Sequence, residues 1–473
     1  MRLIDKFVTG AAVEGSGRCH LCRAEVFGML RDRRYGVYRF AAGVSKIYNR
    51  ALLKTAHVPY GIFIEEGAFP SQSVQTHGDE QGEAKISRRK FRHVRIFYGI
   101  IHTMKLENPF LIRGYAGPDY FCDREAETAQ LVEAVKNGRD VTLVAPRRYG
   151  KTGLIHNAFG RLSKTHATVY LDIFAINDLT AFVQAFSSAV VGVLDSKAKS
   201  VGRRILSFFK SCRPTITPRE DGSLEFSFNI AATAAKATLK ETFDYIAAHG
   251  QKIVIAVDEF QQVREFPETG VEALLRSYIQ FVPNAHFIFA GSKKHMMDEM
   301  FVSPKGSFYQ STQLMALGPI DESAYSDFAA RFFHSAGRAF EPAAFSHIYN
   351  RFEGITWYVQ CILNRIWSKG AGLESESQAD KAVDELVEEA GVFYQDLLRS
   401  QTSAEQSILK AIGKDGVVGA ISSSDFLSRH SLPSASTVRS AVANLKDRDL
   451  VYQTDRGYVV YDRFFGLWLA RLV

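Results

Sequence analysis

Four short apolar runs punctuate the middle of the chain: "DVTLVAP" from Asp140, "ATVYLDIF" from Ala167, "KIVIAVDEF" from Lys252 and "HFIFAGS" from His286. Each has strand length and turn residues at its ends, which predicts strands buried on both faces. Between them the apolar positions change to helical spacing, in "KTGLIHNAFGRLSKT", in "LTAFVQAFSSAVVGVL", through Tyr245, and from Val271 to Phe281. This alternation predicts an α/β fold: a parallel sheet with helices on both faces. An amphipathic helix from about Arg124 to Lys136 precedes the first strand, with Leu131 and Val135 on one face and Asn137-Gly138 closing it. A less regular insertion, 197–230, carries a hairpin pattern turning at Asp221-Gly222.

Beyond about Leu317 the strand pattern stops. Four amphipathic stretches, "DESAYSDFAARFFHSAG", "EPAAFSHIYNRF", "TWYVQCILNRIWSKG" and "QADKAVDELVEEAGVFYQDLLRS", predict a small helical lid domain over 317–400. From 401 to 473 the pattern is helix, short helix, a third helix opened by Ser434, and a ribbon turning at Asp455-Arg456-Gly457. Three helices and a β-wing make a winged helix-turn-helix. The sheet region then spans 104–316, and residues 1–103 show no sustained period.

Charge changes the view of that first segment. Residues 1–103 hold 17 Lys and Arg against 9 Asp and Glu, whereas the other 370 residues hold 41 against 42. The overall charge of +7 therefore describes an appendage. It reads either as a basic arm for nucleic acid or as sequence upstream of a true start at Met104. The Cys19-x-x-Cys22 pair, with His20 between, is half of a zinc pattern without a matching second half. Five scattered cysteines do not form a disulfide framework, and no apolar run reaches the ~18 residues of a membrane span, so the cytoplasm is the expected compartment, with no membrane partner.

The chemistry concentrates after the first strand. In "APRRYGKT", Pro146, Arg147, Arg148, Tyr149, Gly150, Lys151 and Thr152 join a buried strand to a helix start, where backbone N–H groups and the helix dipole favour phosphate. Gly150 allows close approach, Lys151 reaches the β and γ phosphates, and the Thr152 hydroxyl can complete a Mg²⁺ shell. Ala145 stands where the phosphate-loop pattern has its first glycine, which is tolerable if its φ is negative. Asp258 and Glu259 end a buried strand about a hundred residues later; Asp258 suits the metal and Glu259 the attacking water. Ser292, at the end of the next strand, can hold that water or the γ-phosphate.

Together with the helical region and the terminal "YDRFFGLWL", these residues resemble the AAA+ ATPases, more narrowly the archaeal-type ATPases with a winged helix that are grouped with the STAND signalling ATPases of archaea and bacteria. The resemblance covers about Met104 to Val473. It implies that "ENPFLIRGYAGPDYFCDRE" lies against the adenine, with Phe121, Asp123 and Arg124 as binding positions; Asp123 also suits a helix cap. It implies ATP and Mg²⁺ as cofactors, ADP as product, and a nucleotide-dependent oligomer. Two departures stand out. Gln310-Ser311 replaces the usual Gly-Arg, with no arginine between Ser292 and Leu317, and Gly354-Ile355-Thr356 replaces Gly-x-Pro, leaving Arg365 as a substitute sensor.

Two functions are expected from these features. One is a Mg²⁺-dependent ATPase that moves its winged helix; the other is a slow or non-hydrolysing nucleotide switch. The last 73 residues carry 9 basic and 7 acidic side chains, with Ser434, Ser436, Arg439 and Lys446 on or near the recognition helix. That thin charge leaves DNA and protein as alternative partners of the winged helix.

Overall fold

The computed structural model describes residues 106–195, 201–219 and 223–472, together with a separate antiparallel pair, Leu30–Arg31 with Tyr38–Arg39. The cysteine pair at 19 and 22, Met104 and the Asp221-Gly222 turn lie outside the described residues.

The α/β region begins with α1 (Glu125–Lys136) and continues through β1 (Val141–Val144), α2 (Lys151–Leu162), β2 (Ala167–Asp172) and α3 (Leu179–Asp195). An insertion of α4 (Val201–Phe208) and the hairpin β3 (Arg213–Pro218) with β4 (Leu224–Asn229) leads to α5 (Ala235–His249). Then come β5 (Ile253–Asp258), α6 (Val271–Ile279), β6 (Ala285–Gly291), α7 (Lys294–Phe301) and β7 (Gln313–Ala316). The five long-range strands pair in the order β2-β5-β6-β1-β7, all parallel. Every residue of β5 is buried. Its side chains alternate: Val254 and Ala256 join the core under α1 and α2, while Ile253, Ile255 and Val257 join the core under α3 and α5. The continuous apolar run is thus the signature of a strand covered on both faces.

The lid comprises α8 (Glu322–Ser335), α9 (Pro342–Arg351), α10 (Thr356–Ser368), α11 (Glu376–Glu389) and α12 (Gly391–Arg399). The winged helix follows as α13 (Ser403–Asp415), α14 (Ser424–Arg429), α15 (Ala435–Asp447), the ribbon β8 (Val451–Thr454) with β9 (Gly457–Val460), and α16 (Arg463–Ala470). Thr402 and Glu405 open α13 with a reciprocal capping box, and Ser434 caps α15. Lid and winged helix share one hydrophobic cluster, which also takes in Phe110. Phe110 is fully buried against Phe332, Phe333 and Trp367, and across the seam the Asn108 amide donates to the Asn364 carbonyl while the Asn364 amide donates to the Phe110 carbonyl. The segment before the sheet is therefore fastened to the lid.

Four features differ from the sequence reading. β7 is an additional edge strand, invisible in the pattern because only Met315 of its four residues is buried. α4, α7 and the terminal α16 are additional short helices. The stretch 378–400, expected as one helix, breaks at Ala390 into α11 and α12, because Tyr394 turns to pack on Phe465 and Trp468 of α16. Asp123 is not the cap of α1. Arg124 takes that position with φ 64°, and no side chain caps the helix.

Candidate nucleotide-binding site

The loop between β1 and α2 keeps strand geometry one residue further than the β1 boundary, since the Ala145 amide bonds the Gly291 carbonyl at 3.4 Å. Ala145 is buried and is not among the positive-φ residues, so the missing glycine costs nothing there. The left-handed positions are Arg148, at φ 75°, and Gly150, at φ 88°. For an arginine this conformation is sparsely populated and persists only where neighbours impose it. The neighbour here is α10: its Trp357 amide donates to the Arg148 carbonyl at 3.2 Å.

Lys151 opens α2 and is 7% exposed. Its ammonium donates to the Ala145 carbonyl at 2.9 Å and the Pro146 carbonyl at 3.4 Å, and it forms no ion pair among the described residues. Burial pushes its pKa down, against the upward pull of Glu259 and Asp258. A buried cation resting on two neutral carbonyls is a site for an anion. One helical step on, the Thr152 hydroxyl donates to Asp258 Oδ2 at 2.9 Å. Hydroxyl and carboxylate oxygens so placed are the hard donor set that Mg²⁺ prefers, so the residues present fit that ion.

Tyr170, on β2, donates to the same Asp258 Oδ2 at 2.7 Å, and the Glu259 amide donates to Oδ1 at 3.0 Å. Burial and the Asp258 charge raise the Tyr170 pKa, so it remains a donor. Glu259 sits at φ 56°, and its Oε2 accepts from Ser292 Oγ at 2.6 Å and from Gln261. Ser292 thus reaches the site through Glu259. Asp172, in register with Asp258 across β2 and β5, has its pKa raised by burial and, further, by the two carboxylates.

Lys151, Thr152, Asp258 and Glu259 border a cleft of about 300 Å³ between the sheet and the lid. Of the residues singled out from sequence, Phe121, Arg124, Arg147, Arg148, Tyr149, Gly150, Lys151, Thr152, Asp258 and Glu259 line it; Asp123, Pro146 and Ser292 do not. Phe121 lies over α2: a Cβ on Gly153 would stand 3.0 Å from its ring. Arg124 is buried and braced, donating to Glu127 and to the Gly318 carbonyl. Asp123 is exposed at φ 51°. Arg365 pairs with Glu389 and Glu385 within the lid and is not among the lining residues.

The two loop arginines point to the winged helix. Arg147 pairs with Asp449 at 3.3 Å and lies over the Phe174 ring. Arg148 pairs with Asp462 at 2.9 Å, donates to the Tyr358 hydroxyl, and lies 4.4 Å from the Trp357 ring centroid. Asp462 also caps α16, accepting from the Phe464 and Phe465 amides, and Tyr358 accepts from the Arg463 amide at 2.8 Å. Loop, lid and winged helix meet in this one network. Asp462, inside "YDRFFGLWL", has no role legible in the sequence, and neither do Tyr170, Gln261, Trp357, Tyr358 and Asp449. Nothing local marks them, because their contacts join segments up to 314 positions apart.

A family described as an ATPase domain predominantly from Archaea matches residues 121–362, and one described as a probable winged helix domain matches 392–471. Among solved structures, the Walker-type ATPase PABY2304 of Pyrococcus abyssi is similar with a TM-score of 0.53 at 17% identity, over 76% of this chain and 99% of that one. The Aeropyrum pernix ORC2 protein in ADPNP–ADP complexes aligns at a TM-score of 0.46 and 15% identity, over 74% and 94% of the two chains. The Aeropyrum pernix ORC1 protein in complex with DNA aligns at 0.45 and 12%, over 78% and 100%. No curated protein matches the sequence. Among the described residues, no helix is long and apolar enough to cross a membrane.

Proposed function

The chain belongs to the family of ATPase domains found predominantly in Archaea, and from that premise we propose that it is a Mg²⁺-dependent ATPase whose nucleotide state moves the C-terminal winged helix. The observation that carries this reading is the double pairing of the phosphate loop, Arg147 with Asp449 and Arg148 with Asp462. A triphosphate in the loop competes with these carboxylates for the guanidinium groups. Binding and winged-helix release are then two sides of one exchange.

In this reading Lys151 leaves the Ala145 and Pro146 carbonyls for the phosphates, and the backbone from Pro146 to Gly150, Tyr149 included, wraps them. Thr152 and Asp258 hold Mg²⁺, which supplies charge neutralisation for the transferring phosphoryl group. Tyr170 and the Glu259 amide keep the Asp258 carboxylate oriented. Glu259 takes a proton from the attacking water once Ser292 or Gln261 gives up its hydrogen bond. Phe121 packs beside the nucleoside, while Asp123 and Arg124 shape the turn that brings it there.

The slow-switch reading draws on a different observation. Both donors now hold Glu259, and no arginine lies between Ser292 and Leu317 to serve a neighbouring subunit. Steady-state phosphate release separates the two. Turnover abolished by Glu259→Gln supports the ATPase; tight ATP binding with no turnover in the unsubstituted chain sinks it in favour of the switch. For the winged helix, Ser434 at the cap of α15 and Ser436 and Arg439 on it are exposed, and Lys446 donates to Gln453 of the wing. Salt-dependent binding of duplex DNA by the whole chain supports a nucleic-acid contact, and its absence supports a protein contact.

A further inference from the structure

The insertion between α3 and α5 carries a charge that the rest of this part of the chain does not. Residues 196–219 hold seven Lys and Arg and no Asp or Glu, whereas the other 346 residues from 104 onward hold 34 against 42. At ordinary composition about three acids are expected in a stretch of this length. Clustered like charges repel one another and destabilise the compact state, so a folded surface that keeps them points to an anionic partner.

The apolar side chains of the insertion are already used. Ile205 and Phe209 of α4 and Phe226 and Phe228 of β4 are buried in the core under α3 and α5, with Phe209 packed on Phe228 at 4.7 Å between ring centroids. What remains outward on the hairpin is polar: Arg213, Thr215 and Thr217 of β3 and Glu225, Ser227 and Asn229 of β4 are all exposed. The register sets Arg213 opposite Asn229 and Thr215 opposite Ser227, and strand alternation puts them on one face. Glu225, the acid of this face, pairs with Arg219. At the root of the hairpin Lys210 is exposed, and Ser211 fixes the turn to α5 through Thr238 at 2.7 Å and Glu241 at 2.6 Å. Glu241 is spent on that hydroxyl and on the Lys210 and Ser211 amides. Lys210 and Arg213 themselves form no ion pair among the described residues.

We propose that this face of the insertion binds the phosphate backbone of a nucleic-acid duplex without reading its sequence. Lys210 and Arg213 neutralise phosphates, while the Thr215, Thr217 and Ser227 hydroxyls and the Asn229 amide donate to phosphate oxygens; these are the side-chain types that make such contacts. The face carries no aromatic ring on which single-stranded bases could stack. An anionic bilayer needs an apolar helix face to enter it, and that of α4 is committed to the core, with only Leu206 exposed among its described apolar residues. A protein partner needs an apolar or aromatic anchor at the centre of the surface, and this face has none. The surface belongs to the α/β region, not to the winged helix, and it does not depend on the nucleotide site.

Titration of the full chain with two DNA duplexes of unrelated sequence, across a series of salt concentrations, tests it. Both duplexes should bind with equal affinity, and that affinity should fall steeply with salt. Duplex RNA in parallel tells which polymer supplies the phosphates; binding of either supports the proposal. The double variant Lys210→Gln/Arg213→Gln should weaken duplex binding roughly 10-fold or more at low salt and reduce the slope of log K against log salt by about 2. Its melting temperature and ATP binding should match those of the parent chain. Lys210→Arg/Arg213→Lys, which keeps both charges, should bind as the parent does. Duplex binding that the glutamine double variant leaves intact overturns the proposal, as does a loss confined to Arg439→Gln, which would place the contact on the winged helix. Binding of phosphatidylserine vesicles or of an acidic peptide, with no binding of either duplex, overturns it in favour of those partners.

Discussion

The two walls of the cleft are built on different principles. The phosphate wall stands on the C-terminal ends of β1, β5 and β6, strands buried on both faces, and its working groups lie within a few residues of those ends. The lid wall stands on α10 and is joined to the phosphate loop by the Arg148–Tyr358 and Trp357–Arg148 bonds, and Arg148 and Arg147 carry the loop on to Asp462 and Asp449 of the winged helix. A buried strand end cannot shift without opening the sheet. Half-exposed ion pairs can trade partners, because water and phosphate compete for the same guanidinium groups. Chemistry is thereby held in place while coupling stays adjustable.

The largest effects should fall on the phosphate wall. Lys151→Ala is expected to lower turnover by about 10²-fold or more while leaving the melting temperature nearly unchanged, because the ammonium supports only two loop carbonyls. Global unfolding of that variant in calorimetry would erase the distinction between the walls. Glu259→Gln should lower turnover by about 10²- to 10⁴-fold with ATP affinity within a few-fold, read by single-turnover kinetics beside equilibrium binding.

The loop's contacts with the winged helix should respond in the opposite sense, with coupling lost and binding retained. Asp462→Asn removes the charge opposite Arg148 while keeping an oxygen to cap α16, for about 1.5 kcal/mol of stability measured by denaturant titration. Faster hydrogen exchange in α16 without nucleotide is the accompanying signature, and tighter ATP binding should follow because the carboxylate no longer competes. Asp449→Asn should show the same direction at under ~1 kcal/mol, since the Arg147 pair is about one-third exposed on both sides. Weaker ATP binding in both variants would show that the arginines do not exchange partners.

A comparably small effect, one that appears only as a function of pH, lies at the opposite end of the sheet. Burial pushes the Asp140 carboxyl up to about 6, although the Phe287 amide donates to it at 2.8 Å. The folded state therefore favours the protonated acid. This contribution to stability is full below about pH 4 and is lost as pH rises through 6. Asp140→Asn keeps an acceptor for Phe287 without the charge, so its melting temperature relative to the parent should rise between pH 4 and 7 and level off above. About 1 kcal/mol is expected once partial exposure is discounted. A pH-independent difference would place the effect elsewhere.

How much of this was legible along the chain follows the same division. Each sheet strand that is buried on both faces announced itself as an apolar run, whereas β7, with one buried residue, did not. The phosphate loop and Asp258-Glu259 were legible because the strand that carries each group also encodes it. Arg147 and Arg148 were visible as charges, but not their partners. The break at Ala390 has no local signal, since it depends on what packs against it.

By itself the sequence determined the α/β alternation, the phosphate loop, the strand-end carboxylates and the order of sheet region, lid and winged helix. These follow from hydrophobic period and local backbone preference, which act over a few residues. Tertiary structure alone decided that the loop arginines face Asp449 and Asp462, that Ser292 holds Glu259, and that Phe110 is buried in the lid. Those outcomes depend on desolvation and hydrogen-bond satisfaction between distant segments, and such terms acquire values only when the segments meet.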